Sequence, residues 1–308
     1  MPNSISISEF LLLPLADTRQ LQLLLFWLFL GIYLADLLGN GLISTAVSCN
    51  CCLHTPMYFF LLNLALLDLG CISTTVPKSL ANTLWDTRAI SYAGCVAQVF
   101  FFFFFISAEL ALLTIMSYDC YIAICKPLHY GTRMDSRACA TMAAAACGTG
   151  VLWHTASTFS LPLCQGNVVN QFFCEIPQIL KLSCSESNLR EVVFSIFVAC
   201  LVFGFFVSIV VSYVQIFLAV LWMPSEQGQH KAFATCLPHL VVVSFFLSTV
   251  FYAYLKPPFI FSPSVDLMVA VLYSAVPPAV NPLIYSMRNR EIKNALRKVF
   301  QNKIFQLP

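Results

Sequence analysis

Apolar residues in this chain gather into seven stretches, each long enough for the roughly 20-residue helix that crosses a bilayer. They run Leu23–Val47, Met57–Leu80, Val96–Ile122, Ala138–Leu161, Val192–Leu221, Ala232–Tyr254 and Leu267–Tyr285, with polar and charged positions concentrated in the gaps. The gaps are short, except for Pro162–Glu191 between the fourth and fifth stretches. After the seventh stretch the pattern changes. Arg290–Phe300 is basic, and its Ile292, Leu296, Val299 and Phe300 fall on one helical face, which suits a helix lying along a membrane surface. The pattern predicts an all-α fold: a seven-transmembrane helix bundle with a short amphipathic C-terminal helix. Residues 1–22 precede the bundle, 23–288 form it, and 289–308 make the tail.

Composition agrees with a membrane as the solvent. Of 308 residues 59% are hydrophobic and 10% charged, whereas a soluble domain carries about 25% charged residues. A net charge of +2 gives no basic face for nucleic acid. No basic segment followed by a short apolar run and a cleavage site opens the chain, so the first span is expected to act as its own insertion signal. Orientation follows from Lys and Arg. The C-terminal side holds Lys126, Arg133, Arg137, Lys231, Arg288, Arg290, Lys293, Arg297, Lys298 and Lys303. The other side holds Arg19, Lys78, Arg88, Lys181, Arg190 and Lys256. Ten against six places the N-terminus outside and the tail in the cytoplasm.

With that orientation Cys95, Cys164, Cys174 and Cys184 lie outside, where disulfides persist. Four cysteines permit three pairings. A Cys95–Cys174 bridge would pin the long loop over the bundle, and Cys164–Cys184 would then close the loop on itself. Bundle geometry favours a bridge from Cys95, at the outer end of the third span, to that loop. Three carboxylates, Asp36, Asp68 and Glu109, fall within spans, where charge is costly and turns toward the bundle interior. Asp68 and Glu109 sit at similar depth. Either they share a proton or a cation such as sodium, or one protonated acid is hydrogen-bonded to Asn40 or Asn281. Asp36, one turn before Asn40, has no assigned role. Glu109 also orients the third helix, because Ile106, Phe105 and Phe102 share its face and divide the run Phe100–Phe105 into inner and lipid-facing rings.

A set of motifs resembles odorant receptors, a branch of the rhodopsin-like G-protein-coupled receptors, over nearly the whole chain. In order they are Gly39-Asn40; LHTPMYFFLLNLALLD, Leu53–Asp68; SYDCYIAICKPLHY, Ser117–Tyr130; FFCEIPQILKLSC, Phe172–Cys184; Ser212-Tyr213; KAFATCLPHL, Lys231–Leu240; and PPAVNPLIYSMRN, Pro277–Asn289. The resemblance implies a receptor in the plasma membrane of a sensory cilium. It would bind a small volatile organic molecule within the bundle and activate a stimulatory olfactory G protein that raises cyclic AMP. The ligand lining it implies is Phe102, Phe103, Ile106 and Ser107 on the third span and Phe197 and Leu201 on the fifth, with Leu247, Phe251 and Tyr254 on the sixth and Ser274 on the seventh. This lining is mostly apolar. No Asp or Glu lies on the outer half of the third helix to anchor a charged ligand. Coupling to the G protein and switching are implied for Asp119, Cys120, Tyr121, Tyr213, Lys231, Asn281, Pro282 and Tyr285. Pro282 removes a helix hydrogen bond, so the seventh span is expected to bend there. No cofactor is implied.

The chain departs from the family pattern at four places. Cys120 stands where the third-helix signature has Arg, exchanging a permanent charge and five donors for a thiol. The fourth span is a few residues short after Gly150 and has Cys147 at its usual Trp. Leu247 replaces a common Tyr, and there is no N-x-[ST] sequon. Cys120 supports a second reading: a receptor of the same fold with impaired signalling or a non-olfactory chemosensory role. Catalysis finds little support, since His154 and His239 have no G-x-S-x-G turn. A transporter would show repeated halves with broken helices, and no internal repeat is present.

Overall fold

A computed structural model describes residues 8–49, 56–127, 151, 155–156, 158–160, 166–182, 188–255, 263–288, 294 and 297. The long elements are α1 (Arg19–Cys49), α2 (Pro56–Leu84), α3 (Tyr92–Cys125), α5 (Asn188–Leu221) and α6 (Glu226–Leu255), followed by α7 (Pro263–Ser274) and α8 (Val276–Arg288). Among the described residues between α3 and α5 lies the short helix α4 (Ile176–Leu180). Among the described residues, six segments are long and apolar enough to cross a membrane: Arg19–Ser48, Met57–Leu84, Tyr92–Cys125, Ala199–Leu221, Glu226–Thr249 and Met268–Tyr285. The expected fourth span lies mostly outside the described residues, although Val151, Thr155, Ala156, Thr158 and Phe159 are helical. The amphipathic tail, with the exception of Asn294 and Arg297, also lies outside them.

Packing follows the apolar faces. α1 packs on α2 and α8, α2 on α3 and α8, α3 on α5 and α6, and α6 on α5 and α8. One core runs through α1, α2, α3, α5, α6 and α8 and holds Leu64, Leu113, Met116, Tyr213, Ile216, Phe246 and Tyr285. On α5 its buried positions Ile209, Tyr213, Ile216 and Val220 recur at helical spacing, while Val207, Val210, Val211, Val214 and Leu218 stay exposed. Apolar side chains on the outside of a helix are what a bilayer requires.

Helix ends are satisfied locally. Ser91 caps α3, its hydroxyl accepting from the Gly94 N–H at 3.1 Å. The Arg19 guanidinium donates to the carbonyls of Thr83 (2.6 Å) and Leu84 (3.2 Å) at the C-terminus of α2. Asp86, just beyond, turns the chain with φ 52°, a left-handed conformation that Asp tolerates.

Two features depart from the hydropathy pattern. First, the seventh span is not one continuous helix. The helical run breaks at Ala275 and continues through Pro282. Pro277 and Pro278 have no N–H, so the carbonyls four residues before them lose their helical donors together, and the ladder fails there. Second, a small sheet forms at the disulfide-bearing end of the bundle: β1 (Glu9–Leu12) lies between antiparallel β2 (Ala89–Ser91) and parallel β3 (Val168–Val169). Phe10 of β1 is fully buried and stacks on Tyr92 at 5.9 Å between centroids. The segment before the bundle is thus stitched to two loops.

Candidate functional site

At the end of the bundle that carries the sheet, Cys95 is bridged to Cys174, with Cα atoms 5.5 Å apart. Cys164 and Cys184 lie outside the described residues. Gln98, one turn after Cys95 on α3, reinforces the bridge. Its Oε1 accepts from the Cys174 N–H at 2.7 Å, and its Nε2 donates to the Thr74 carbonyl of α2 at 2.9 Å. The bridge lays two rings against the bundle. Phe173 meets Phe102 edge-on at 5.0 Å, and Phe172 meets Phe29 of α1 at 5.6 Å.

This arrangement places the expected ligand-lining residues as follows. Val99, Phe102, Phe103 and Ile106 of α3 face Glu175 and Ile176 across a cleft of about 20 Å³. That is room for about one water. Ser107 is half-buried on α3. Leu247 and Ser274 are buried, and the Ser274 hydroxyl donates to the Ala270 carbonyl of its own helix at 2.6 Å. Leu201 is 47% exposed. The side chains of Phe197, Phe251 and Tyr254 lie outside the described residues. The acidic residue that lines this cleft, Glu175, belongs to the loop rather than to α3 and follows the bridged Cys174. A larger cavity of about 270 Å³ lies elsewhere, between Leu12–Asp17, the end of α2 and Arg88. It touches none of the expected lining.

Deeper in the bundle the three carboxylates are buried, Asp36 and Asp68 at 0% and Glu109 at 2% exposure. Asn281 of α8 joins two of them. Its Nδ2 lies 3.2 and 3.1 Å from the two Asp68 oxygens and 3.4 Å from Glu109 Oε1. Asp36 stands with Asn40 instead, whose Nδ2 donates to Asp36 Oδ1 at 2.8 Å and to the Pro278 carbonyl at 3.1 Å. Among the described residues no three His, Cys, Asp or Glu side chains form a metal cluster.

At the far end, the Tyr213 hydroxyl shares a 2.6 Å hydrogen bond with His239 Nδ1 and lies 3.4 Å from the Cys236 carbonyl. Cys120 and Tyr121 are half-buried against the main core, while Tyr285 is within it. Asp119 is buried, Lys231 is exposed, and Lys126 Nζ lies 5.5 Å from the Tyr121 ring centre.

The family model for olfactory receptors matches residues 29–303. The chain belongs to the olfactory receptor family. Human olfactory receptor 14C36 is 47% identical over 304 residues, covering 98% of this chain and 97% of the relative. Human olfactory receptor 14J1 is 48% identical over 306 residues, covering 98% and 95%. Human olfactory receptor 14A16 is 47% identical over 308 residues, covering 99% of each chain. This olfactory receptor is accordingly a multi-pass membrane protein with the seven-helix fold of its family, and that family is not one of enzymes.

The site holds three polar residues to which the sequence assigned no place in it. Gln98 sits one turn from Cys95, and that spacing was the available signal. Glu175 was adjacent to a candidate disulfide cysteine. His239 lies within the Lys231–Leu240 motif, but its pairing with Tyr213 crosses two helices and leaves no local trace.

Proposed function

We propose that this receptor binds a small, weakly polar organic molecule at the disulfide end of the bundle and couples that binding to a heterotrimeric stimulatory G protein, raising cyclic AMP. The supporting observation is the apolar wall Val99–Phe102–Phe103–Ile106, roofed by a loop that the Cys95–Cys174 bridge holds in place. Burial of apolar ligand surface at about 25 cal/mol per Å² supplies affinity there, and a few polar groups supply orientation. Because the cleft is nearly closed, ligand entry requires these rings to part. Phe197, Leu201, Leu247, Phe251, Tyr254, Ser107 and Ser274 complete the proposed lining.

In this reading residues 1–22 are extracellular, 23–288 form the receptor and 289–308 are a cytoplasmic tail, in the plasma membrane of sensory cilia. Asp119, Cys120, Tyr121, Tyr213, Lys231, Asn281, Pro282 and Tyr285 carry the signal to the G protein. Asp68 and Glu109 balance their charge with a shared proton or a sodium ion. Two buried carboxylates around a single amide nitrogen fit either occupant, since both supply the missing positive charge. A second reading, impaired signalling, rests on Cys120: a half-buried thiol cannot supply the bidentate contacts of Arg.

A cyclic AMP assay in cells given the olfactory G protein tests both readings, with an odorant panel applied to the native chain and to Cys120→Arg at matched surface expression. A response from the native chain is the expected result. A response from the variant alone would establish the second reading. Silence from both at good surface expression would count against odorant signalling.

A further inference from the structure

Asp36 is fully buried on α1, yet its Oδ2 has no hydrogen-bond partner among the described residues. Polar atoms left so at a helix interface are rare and call for an explanation. The other oxygen, Oδ1, has a defined partner in Asn40. Pro282 has no N–H, so the carbonyl of Pro278, four residues earlier, lacks its regular helical donor. Asn40 provides one, from α1, at 3.1 Å. The same amide nitrogen donates to Asp36 Oδ1 at 2.8 Å, so the acid fixes the direction in which the amide points. Gly39 permits the approach: a Cβ there would stand 3.0 Å from Pro282 Cβ. On the other side of the proline, Asn281 is held by Asp68 and Glu109. The proline segment of α8 is therefore flanked by two amides: Asn40, oriented by Asp36 of its own helix, and Asn281, oriented by carboxylates of α2 and α3.

We infer that Asp36 is a positioning residue for α8: it holds the Asn40 amide on the carbonyl orphaned by Pro282, and so ties α1 to the proline segment. Removing the acid frees Asn40 to rotate, and the Pro278 carbonyl loses its donor. Its role in signalling rests on the receptor reading above; its role in positioning rests on the geometry alone.

The test is a double-mutant cycle on the full-length receptor in detergent micelles, read by thermal unfolding. Asp36→Leu and Asn40→Ala are each expected to lower the midpoint by roughly 3–6 °C. The double variant should fall no further than the worse single one. Asp36→Asn keeps an acceptor oxygen toward Asn40 and should stay within about 1 °C of native. If Asp36→Leu fails to accumulate in folded form, Asp36→Ala takes its place in the cycle. Additive shifts, or Asp36→Asn falling as far as Asp36→Leu, would overturn the inference. Basal cyclic AMP, measured alongside at matched surface expression, should depart at least twofold from native in Asp36→Leu but not in Asp36→Asn. A coupled cycle with unchanged cyclic AMP leaves the positioning role standing and counts against the signalling reading.

Discussion

Gly70 of α2 shows how tightly single positions are set. A Cβ placed there would come within 2.4–2.8 Å of Phe105 ring carbons from α3, far inside contact distance. The ring is held between neighbours, stacking with Phe101 at 6.3 Å and meeting Phe104 edge-on at 5.6 Å, so it cannot swing aside freely. Gly70→Ala should therefore destabilise the receptor by about 1–3 kcal/mol through overpacking. Thermal unfolding in detergent checks this, and Phe105→Leu in the same chain should recover part of the loss by making room. The Tyr213–His239 bond sets a second residue-scale expectation. Tyr213→Phe leaves His239 Nδ1 buried without its partner, at a cost of about 1–3 kcal/mol. The double replacement Tyr213→Phe with His239→Phe should cost less than the sum of the two single changes. Strict additivity would mean that the bond contributes nothing.

At the scale of elements, the six spans that the described residues cover were legible, because a run of apolar residues has one stable home in a bilayer. Leu23–Val47 lies within Arg19–Cys49, and Val96–Ile122 within Tyr92–Cys125. The observed helices overrun the apolar stretches at most ends because backbone hydrogen bonding does not stop where the hydrocarbon does. Arg19 begins α1, and its guanidinium caps the carbonyls of Thr83 and Leu84 at the end of α2. The break at Ala275 was less legible: Pro282 drew attention as a lone proline deep in an apolar run, while the adjacent Pro277 and Pro278 carry the larger loss of donors. The sheet left almost no trace, since strands of two to four residues are too short to show alternation. The inward face of the third helix was legible. Helical spacing from Glu109 placed Phe102, Phe105 and Ile106 on the inward face, and they pack together with Phe172 and Phe173. The loop's own contribution depended on which cysteines paired. The bridge joins residues 79 positions apart, so Cys95→Ser with Cys174→Ser should cost about 2–4 kcal/mol and loosen the roof of the cleft. Gln98→Leu, which keeps the disulfide but strips the Cys174 N–H of its buried acceptor, should cost about 1–3 kcal/mol. Limited proteolysis of the 166–182 segment, with thermal unfolding, separates the two variants: early cleavage is expected without the bridge and not with Gln98→Leu.

Over the whole molecule, different kinds of contact hold the two ends. The disulfide and the sheet hold one end covalently and by backbone pairing. The far end is held by the Tyr213–His239 bond and apolar packing. Between them, Asp68 and Glu109 meet Asn281 on α8, so α2, α3 and α8 are coupled through one amide. Charge and hydrogen bonding make opposite demands at this point. A second carboxylate adds repulsion, while each oxygen gives Asn281 an acceptor. Asp68→Asn removes one negative charge and keeps an acceptor oxygen; Asp68→Leu removes both. The expected result is that Asp68→Asn unfolds no lower than native, whereas Asp68→Leu loses about 1–3 kcal/mol through the unpaired amide. Repeating the melts in sodium chloride and in choline chloride identifies what balances the charge. Stabilisation specific to sodium, abolished in Asp68→Asn, marks a bound cation; identical melts in both salts mark a shared proton. A fall of Asp68→Asn as deep as that of Asp68→Leu would mean that the ionised carboxylate itself, rather than its hydrogen bond, ties the three helices together.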